Sequence, residues 1–288
     1  MLARLNILLQ FVLPHHALSR FVGWVTRIRW RPFKNAFTAL FIAGFKPDLS
    51  DAANPDAYTY EHFNAFFTRA LRPGARPLEG GAETLISPVD GTMSQSGAVD
   101  RNLILQAKGW HYTLETLLAG AADEWAPRFA GGSFATIYLA PYNYHRIHMP
   151  ADGTLKAAWF VPGRLFSVSA LAARKIENLF ARNERVVLLF ESAAGPFAVI
   201  FVGALNVGSM ATVWHGDVAP RRPRVVTALP LPPAGERFRA RGAEIGRFNM
   251  GSTVVLLFGP QVAQLEQIAP GAAMRLGQRL GHLAHADP

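Results

Sequence analysis

Apolar positions along the chain fall into two regimes. Near the start they recur at helical spacing: Leu18, Phe21, Val22, Val25 and Ile28 share one face of a helix. A second helix is predicted over 56–71 (DAYTYEHFNAFFTRAL), with Phe63, Phe66, Phe67 and Leu71 on one face and RPGARP closing it. Beyond it the spacing changes. FATIYLA (134–140), TLKAAWFV (154–161), RVVLLFE (185–191) and TVVLLF (253–258) are short, β-rich apolar runs separated by Gly, Pro, Asn and Asp. The pattern predicts an α+β chain. A helical N-terminal region spans 1–75, and a compact, mostly antiparallel β domain spans 76–288. The Pro- and Arg-rich stretch 219–241 reads as an exposed connection.

Two segments raise the question of a membrane span. Residues 192–216 carry no formal charge and are long enough to cross a bilayer. Gly195, Pro196, Gly203 and Gly208 cut the stretch into FAVIFVGA and GSMATVW, which predicts buried strands instead. Leu5 to Leu13 is apolar but stops at Pro14 and is too short to span. The N-terminal segment reads as a membrane-surface module. It carries Arg4, Arg20, Arg27, Arg29, Arg31, Lys34 and Lys46 with no acid before Asp48, interleaved with Phe and Trp. Such a helix suits a bilayer interface with anionic lipid. The competing reading is a basic helix packed on the protein's own core. Nucleic acid is not expected, since no helix-turn-helix, zinc-finger or RNP-like pattern occurs.

Composition narrows the classes further. Half of the 288 residues are hydrophobic and 17% are charged, which excludes intrinsic disorder. The formal net charge is +9, supplied mainly by Arg, the better fork for phosphate and carboxylate. Cys is absent, which excludes disulfides, thiolate metal sites and thiol nucleophiles.

Three clusters can carry chemistry. In SPVDG (87–91), Asp90 sits in what reads as an Asp-Gly turn. In PYNYHRIHMP (141–150), His145 and His148 flank Arg146, between Pro141 and Pro150 that argue for an irregular loop. The HExxH pattern of a helical zinc site is absent, and two His packed this tightly point to acid–base work. In GAEIGRFNMGSTVVLLF (242–258), Gly251 precedes Ser252 at the mouth of an apolar strand. A Gly-Ser turn is common, yet the same pair suits self-cleavage. Gly251 has no side chain to block its carbonyl, and Ser252 Oγ can attack it.

Taken in order, these blocks resemble the pyruvoyl-dependent phosphatidylserine decarboxylase family. The resemblance extends through FNAFFTRALRPGARP (63–77), VPGRLFSVS (161–169), LFARNERV (179–186), VGALNVGSM (202–210) and IGRFNMGSTV (245–254). The family's LGST cleavage motif stands here as MGST, Met250 to Thr253, and Ser169 stands where many members have Asn.

The resemblance implies the rest. Asp90 and His148 match the family's acid and base, forming a triad with Ser252, and His145 matches its second active-site His. Cleavage between Gly251 and Ser252 leaves a large chain (1–251) and a small one (252–288), with a pyruvoyl group made from Ser252. That covalent group is the implied cofactor, with no pyridoxal phosphate and no metal. Decarboxylation of phosphatidylserine to phosphatidylethanolamine through a Schiff base follows, with His145 the favoured proton donor and His148 the alternative. Arg146 is a candidate partner of the lipid phosphate or carboxylate. The implied partners are anionic membrane and the paired large and small chains, with dimers of that pair suggested. The expected location is peripheral, on the cytoplasmic face of the cell membrane. Two rivals remain open at this point: a Ser/His/Asp lipid hydrolase, although G-x-S-x-G is absent, and a membrane-bound scaffold that does not mature.

Overall fold

A computed structural model describes residues 10–107, 109–205, 209–218, 225–250 and 252–284. Arg4, Lys108, Gly251 and part of the 219–241 stretch therefore lie outside the described residues. Two helices open the described chain, α1 (His15–Val25) and α2 (Arg31–Phe45). Pro14 caps the start of α1, and Pro32 lies in the first turn of α2, where its missing N–H is harmless. Lys46 ends α2 in the left-handed conformation, immediately before Pro47.

The second predicted helix is much shorter than the sequence suggests. Only Phe63–Phe67 is helical (α3), and 56–62 forms turns instead. The carboxylate of Asp56 accepts from the Tyr58 N–H, and its carbonyl accepts from the Thr59 hydroxyl. Lys34 Nζ donates to the carbonyls of Tyr58 and Tyr60 at 2.6 and 2.7 Å, taking acceptors a helix would need. His62 Nδ1 then accepts from the Ala65 N–H and starts α3 afresh.

The remainder is mostly antiparallel sheet. Its principal strands are β1 (Gly91–Ala98), β2 (Ser133–Leu139), β3 (Arg146–His148), β4 (Gly153–Val161), β5 (Arg185–Ser192), β6 (Gly195–Val202), β7 (Met210–Thr212), β8 (Gly216–Val218), β9 (Glu244–Phe248) and β10 (Ser252–Phe258). The main sheet runs β4-β5-β6-β10-β2-β1, with short strands at its edges. A second sheet runs β8-β7-β9-β3. The uncharged 192–216 stretch thus supplies strands, as predicted, with 206–208 outside the described residues. Among the described residues no helix is long and apolar enough to cross a membrane. His145 and His148 stand at a short strand rather than in the irregular loop their flanking prolines suggested, because β3 pairs with β9.

Both faces of the main sheet are covered. Val255 and Leu257 point toward a core shared with α4 (Leu114–Leu118) and α5 (Ala122–Phe129). Val254, Leu256 and Phe258 point the other way, into a core shared with Ile147, Met210, Ile245 and Phe248 of the second sheet. Two buried faces explain why RVVLLFE and TVVLLF read as continuous apolar runs. A third cluster joins Phe41 of α2 to Phe63, Phe66 and Phe67, and Met250 packs against it. The N-terminal helices are tied to the sheets by polar contacts as well. His16 Nε2 lies 2.8 Å from the Gly163 carbonyl, and Arg27 Nη2 donates to Asp217 at 3.0 Å.

The two helices bury different kinds of face. The buried residues of α1 are His15, Ser19 and Gly23, and those of α2 are Lys34, Thr38 and Phe41. Four large apolar side chains point outward, Phe21 at 59% exposed, Trp24 at 65%, Trp30 at 68% and Leu40 at 73%, while Phe41 turns inward.

Candidate active site

Ser252 is the first residue of β10, all seven residues of which are buried. The strand lies between β2 and β6, with Ser252 opposite Leu139 and Thr253 opposite Val202. β-Branched and aromatic residues favour this extended, doubly covered position. The Ser252 hydroxyl is fully buried and has no hydrogen-bond partner among the described residues. The residue borders a cavity of about 210 Å³ lined also by Tyr138, Pro141, Ser167, Val168 and Leu205. Its predicted partner in cleavage, Gly251, lies outside the described residues.

β3 carries the histidines into the same region. The His145 carbonyl accepts from the Phe248 N–H at 2.9 Å, so the His145 end of β3 adjoins the end of β9 that leads through Asn249 to Ser252. His145 is fully buried, and its ring stacks at a tilt on Phe67 with centroids 4.1 Å apart. Nδ1 lies 2.8 Å from the Asn143 carbonyl. A carbonyl only accepts, so Nδ1 carries the proton and Nε2 keeps a lone pair. That Nε2 has no partner among the described residues. Burial pushes the imidazole down to about 3, so it is neutral at physiological pH.

His148 follows the same logic. Nδ1 lies 2.8 Å from the Gly242 carbonyl, which makes it the protonated nitrogen. Nε2, at 3.0 Å from the Tyr144 hydroxyl, accepts from that phenol. Burial lowers the His148 pKa, while the Gly242 carbonyl and the charges of Glu244 and Asp90 oppose it. Asp90 reaches this neighbourhood through the backbone: the His148 N–H donates to the Pro88 carbonyl at 2.9 Å. Gly91, which follows Asp90, lets β1 lie close on β2, because a Cβ there would stand 2.5 Å from the Tyr138 carbonyl oxygen.

Two side chains of the predicted triad, those of Asp90 and His148, take other partners. Arg76 donates from Nε to both oxygens of Asp90 and from Nη2 to Oδ2 at 2.6 Å, and the Leu276 N–H donates to Oδ1 at 2.8 Å. The structure thus brings the Asp90 loop and His148 together, with their side chains engaged elsewhere. Arg146 donates from Nη1 to Glu244 and from Nε to the Thr68 carbonyl, both at 2.9 Å.

A family model described as phosphatidylserine decarboxylase matches residues 63–282. The chain belongs to the phosphatidylserine decarboxylase family. A second model, described as PSD, matches residues 5–46. The phosphatidylserine decarboxylase proenzyme of Pseudomonas putida (strain GB-1) is 49% identical over 292 aligned positions, covering 99% of this chain and 100% of that protein. The protein of the same name from Ectopseudomonas mendocina (strain ymp) is 48% identical, covering 97% of this chain and 98% of its own.

For a phosphatidylserine decarboxylase family member, the sequence reading overlooked several residues around these motifs. Arg76 was visible only as part of a helix stop, and Tyr144 as a neighbour inside YNYHRIHMP. The signal for Tyr144 was its i, i+4 spacing from His148; Arg76, fourteen residues from Asp90, gave none.

Proposed function

We propose that this chain is a phosphatidylserine decarboxylase made as a proenzyme, which cleaves itself between Gly251 and Ser252. Family membership and 49% identity over nearly the whole chain to a protein named phosphatidylserine decarboxylase proenzyme support the activity. The observation that carries the site assignment is the Ser252 hydroxyl, buried and without a partner among the described residues, on a residue that borders a cavity. A nucleophile needs such freedom, and a merely structural buried hydroxyl is normally hydrogen-bonded.

In this reading His148 takes the proton from Ser252 Oγ at its basic Nε2, once the Tyr144 phenol gives way. The imidazolium so formed is favoured by the nearby Glu244 and Asp90 charges. The Ser252 oxygen attacks the Gly251 carbonyl and the amide becomes an ester. Loss of the Ser252 Cα proton expels the Gly251 carboxylate by β-elimination. The dehydroalanine left behind tautomerises, takes up water and releases ammonia, leaving the pyruvoyl group. The residues present fit that group: the strand start is buried, and a cavity of about 210 Å³ adjoins it.

Once formed, the pyruvoyl group supplies the electron sink for loss of CO2. The protein's own residues handle protons and orientation. His145 is neutral, and its Nε2 lone pair has no partner among the described residues. A group held so low takes up a proton only when the substrate carboxylate beside it offsets its burial, and it would return that proton to the α-carbon after CO2 leaves. We assign the product-protonating role to it because it matches the family's second active-site His.

The same proposal places the protein peripherally on anionic membrane, at the cytoplasmic face. The outward aromatic and aliphatic side chains of the two helices, Phe21, Trp24, Trp30 and Leu40, support this. Region 1–75 would then form the lipid-facing part and 76–288 the catalytic part, the two processed chains staying paired.

The deciding experiment is the intact mass of purified protein under denaturing conditions. Two species are expected, 1–251 and a 37-residue fragment short of one ammonia relative to a Ser-started peptide. A single full-length species without decarboxylase activity on added membrane would overturn the proposal.

A further inference from the structure

Arg146 and Arg247 stand directly opposite each other across the β3–β9 pair, on one face of the sheet. Like charges in that relationship repel. Arg146 has Glu244 as a counter-ion. Arg247 has no ion pair among the described residues, and its Nε is buried with no hydrogen-bond partner among them. A third guanidinium joins them. Arg69 is only 4% exposed; its hydrogen bond is from Nη2 to the Asp48 carbonyl at a long 3.4 Å, and its Nε is likewise buried without a partner among the described residues. Its other contact is the Phe66 ring, 5.6 Å from the guanidinium carbon.

All three guanidinium groups line one cavity of about 460 Å³. A buried guanidinium cannot shed its proton, and leaving it unpaired is costly. Only Arg69 is fully buried here, with Asp90 and Asp48 acting on it electrostatically, so an oxyanion in the cavity would add the close partner that the two buried Nε groups lack. Arginine forks match the geometry of phosphate and carboxylate oxygens. The same cavity holds Asn64, whose Oδ1 is a buried acceptor without a partner among the described residues. A ligand that pairs an oxyanion with a neighbouring donor would satisfy both. Two contacts tie the cavity to the reacting strand. Asn64 Nδ2 donates to Asn249 Oδ1 at 3.3 Å, three residues before Ser252, and Arg146 adjoins His145.

We propose that Arg69, Arg146 and Arg247 form the subsite for the phosphodiester of the substrate's headgroup, with Asn64 accepting from a donor on the same headgroup. This rests on the decarboxylase reading for the identity of the substrate, while the anion site itself rests on the cavity. Arg247→Gln is the first test, with self-cleavage on a gel as the control for folding. The expected result is normal cleavage, a KM for phosphatidylserine in mixed micelles raised about tenfold, and kcat within about twofold. Glycerophosphoserine binding, followed by phosphorus NMR without turnover, should weaken by the same factor. Normal cleavage with unchanged KM and unchanged glycerophosphoserine affinity would overturn the subsite.

Inorganic phosphate separates the sources of the oxyanion. Weaker binding than glycerophosphoserine is expected; equal binding would overturn the headgroup assignment in favour of free phosphate. If the wild-type protein releases no CO2, the decarboxylase reading fails while the binding measurement still decides the anion site. Should Arg247→Gln not cleave, Arg247→Lys keeps the charge and loses the fork, and the same rise in KM is expected of it.

Discussion

Arg76 holds Asp90 from the side, its Nε 3.0 and 3.2 Å from the two carboxylate oxygens and its Nη2 2.6 Å from Oδ2. Its Nη1 also reaches Asp51 at 2.6 Å. Both side chains of the Arg76–Asp90 pair are nearly buried. Removing one member of such a pair leaves an unpaired charge and costs about 3–5 kcal/mol. Arg76→Met should lower the unfolding midpoint clearly and slow self-cleavage by releasing Asp90. Urea unfolding and a time course of the 252–288 fragment check this. An unchanged midpoint with normal cleavage would show that Arg76 has no positioning role.

Ser252→Ala should leave one uncleaved chain that releases no CO2. Its stability should match or exceed that of the unprocessed wild type by up to about 1 kcal/mol, because the hydroxyl removed is buried without a partner among the described residues. Normal processing of this variant on a gel would move the scissile bond elsewhere.

His145 gives the protein an acid sensitivity. Burial holds it at about 3 against an ordinary 6.5. Between those values the unfolded chain binds a proton that the folded chain excludes. Stability is therefore complete above about pH 6.5 and declines as pH falls toward 3, by up to roughly 1.4 kcal/mol per pH unit for this one group. His15, His62 and His148 are shifted in the same direction and add to the slope. His145→Gln should show a shallower loss of urea stability from pH 7 to pH 4. An identical slope would contradict the neutral, buried state of His145.

Membrane binding should depend on the outward aromatics. Trp24→Ser with Trp30→Ser is expected to reduce co-sedimentation with anionic vesicles at least tenfold with little change in thermal stability, since both rings face outward. Neutralising Arg20 and Arg31 should weaken binding mainly at low salt. Arg27 is a poorer choice, because it donates to Asp217 and to the Gly23 carbonyl. Unchanged co-sedimentation of the double Trp variant would remove the lipid-facing role of α1 and α2.

What the sequence revealed follows from the range of the forces involved. The strand at 253–258 was legible because both its faces are buried, which leaves an uninterrupted apolar run. The helix over 56–71 was misread because its apolar spacing is real but its carbonyls are claimed by Lys34, twenty-four residues upstream. The sequence left the apolar face of α1 open between bilayer and core. Leu18, Phe21 and Val25 mark a helical stripe, yet His15, Ser19 and Gly23 are buried. A periodic pattern reports amphipathicity but not which side meets the protein. The candidate site residues Asp90, His145, His148 and Ser252 were nameable from their motifs. Their hydrogen-bond partners Arg76, Tyr144 and Gly242 were not, since only the folded chain sets them side by side.

The place of β10 has a consequence for how the two proposed chains coexist. Its flanking strands, β2 and β6, both belong to 1–251, and it pairs with them over seven and six residues. The small chain would be a guest strand whose berth is built only while the polypeptide is still whole. Withdrawing it would split the main sheet through its middle and open both cores to water. A nick at Ser252 therefore changes the covalent connectivity and leaves the architecture interlocked. Separately synthesised halves would lack the shared folding event that threads one through the other.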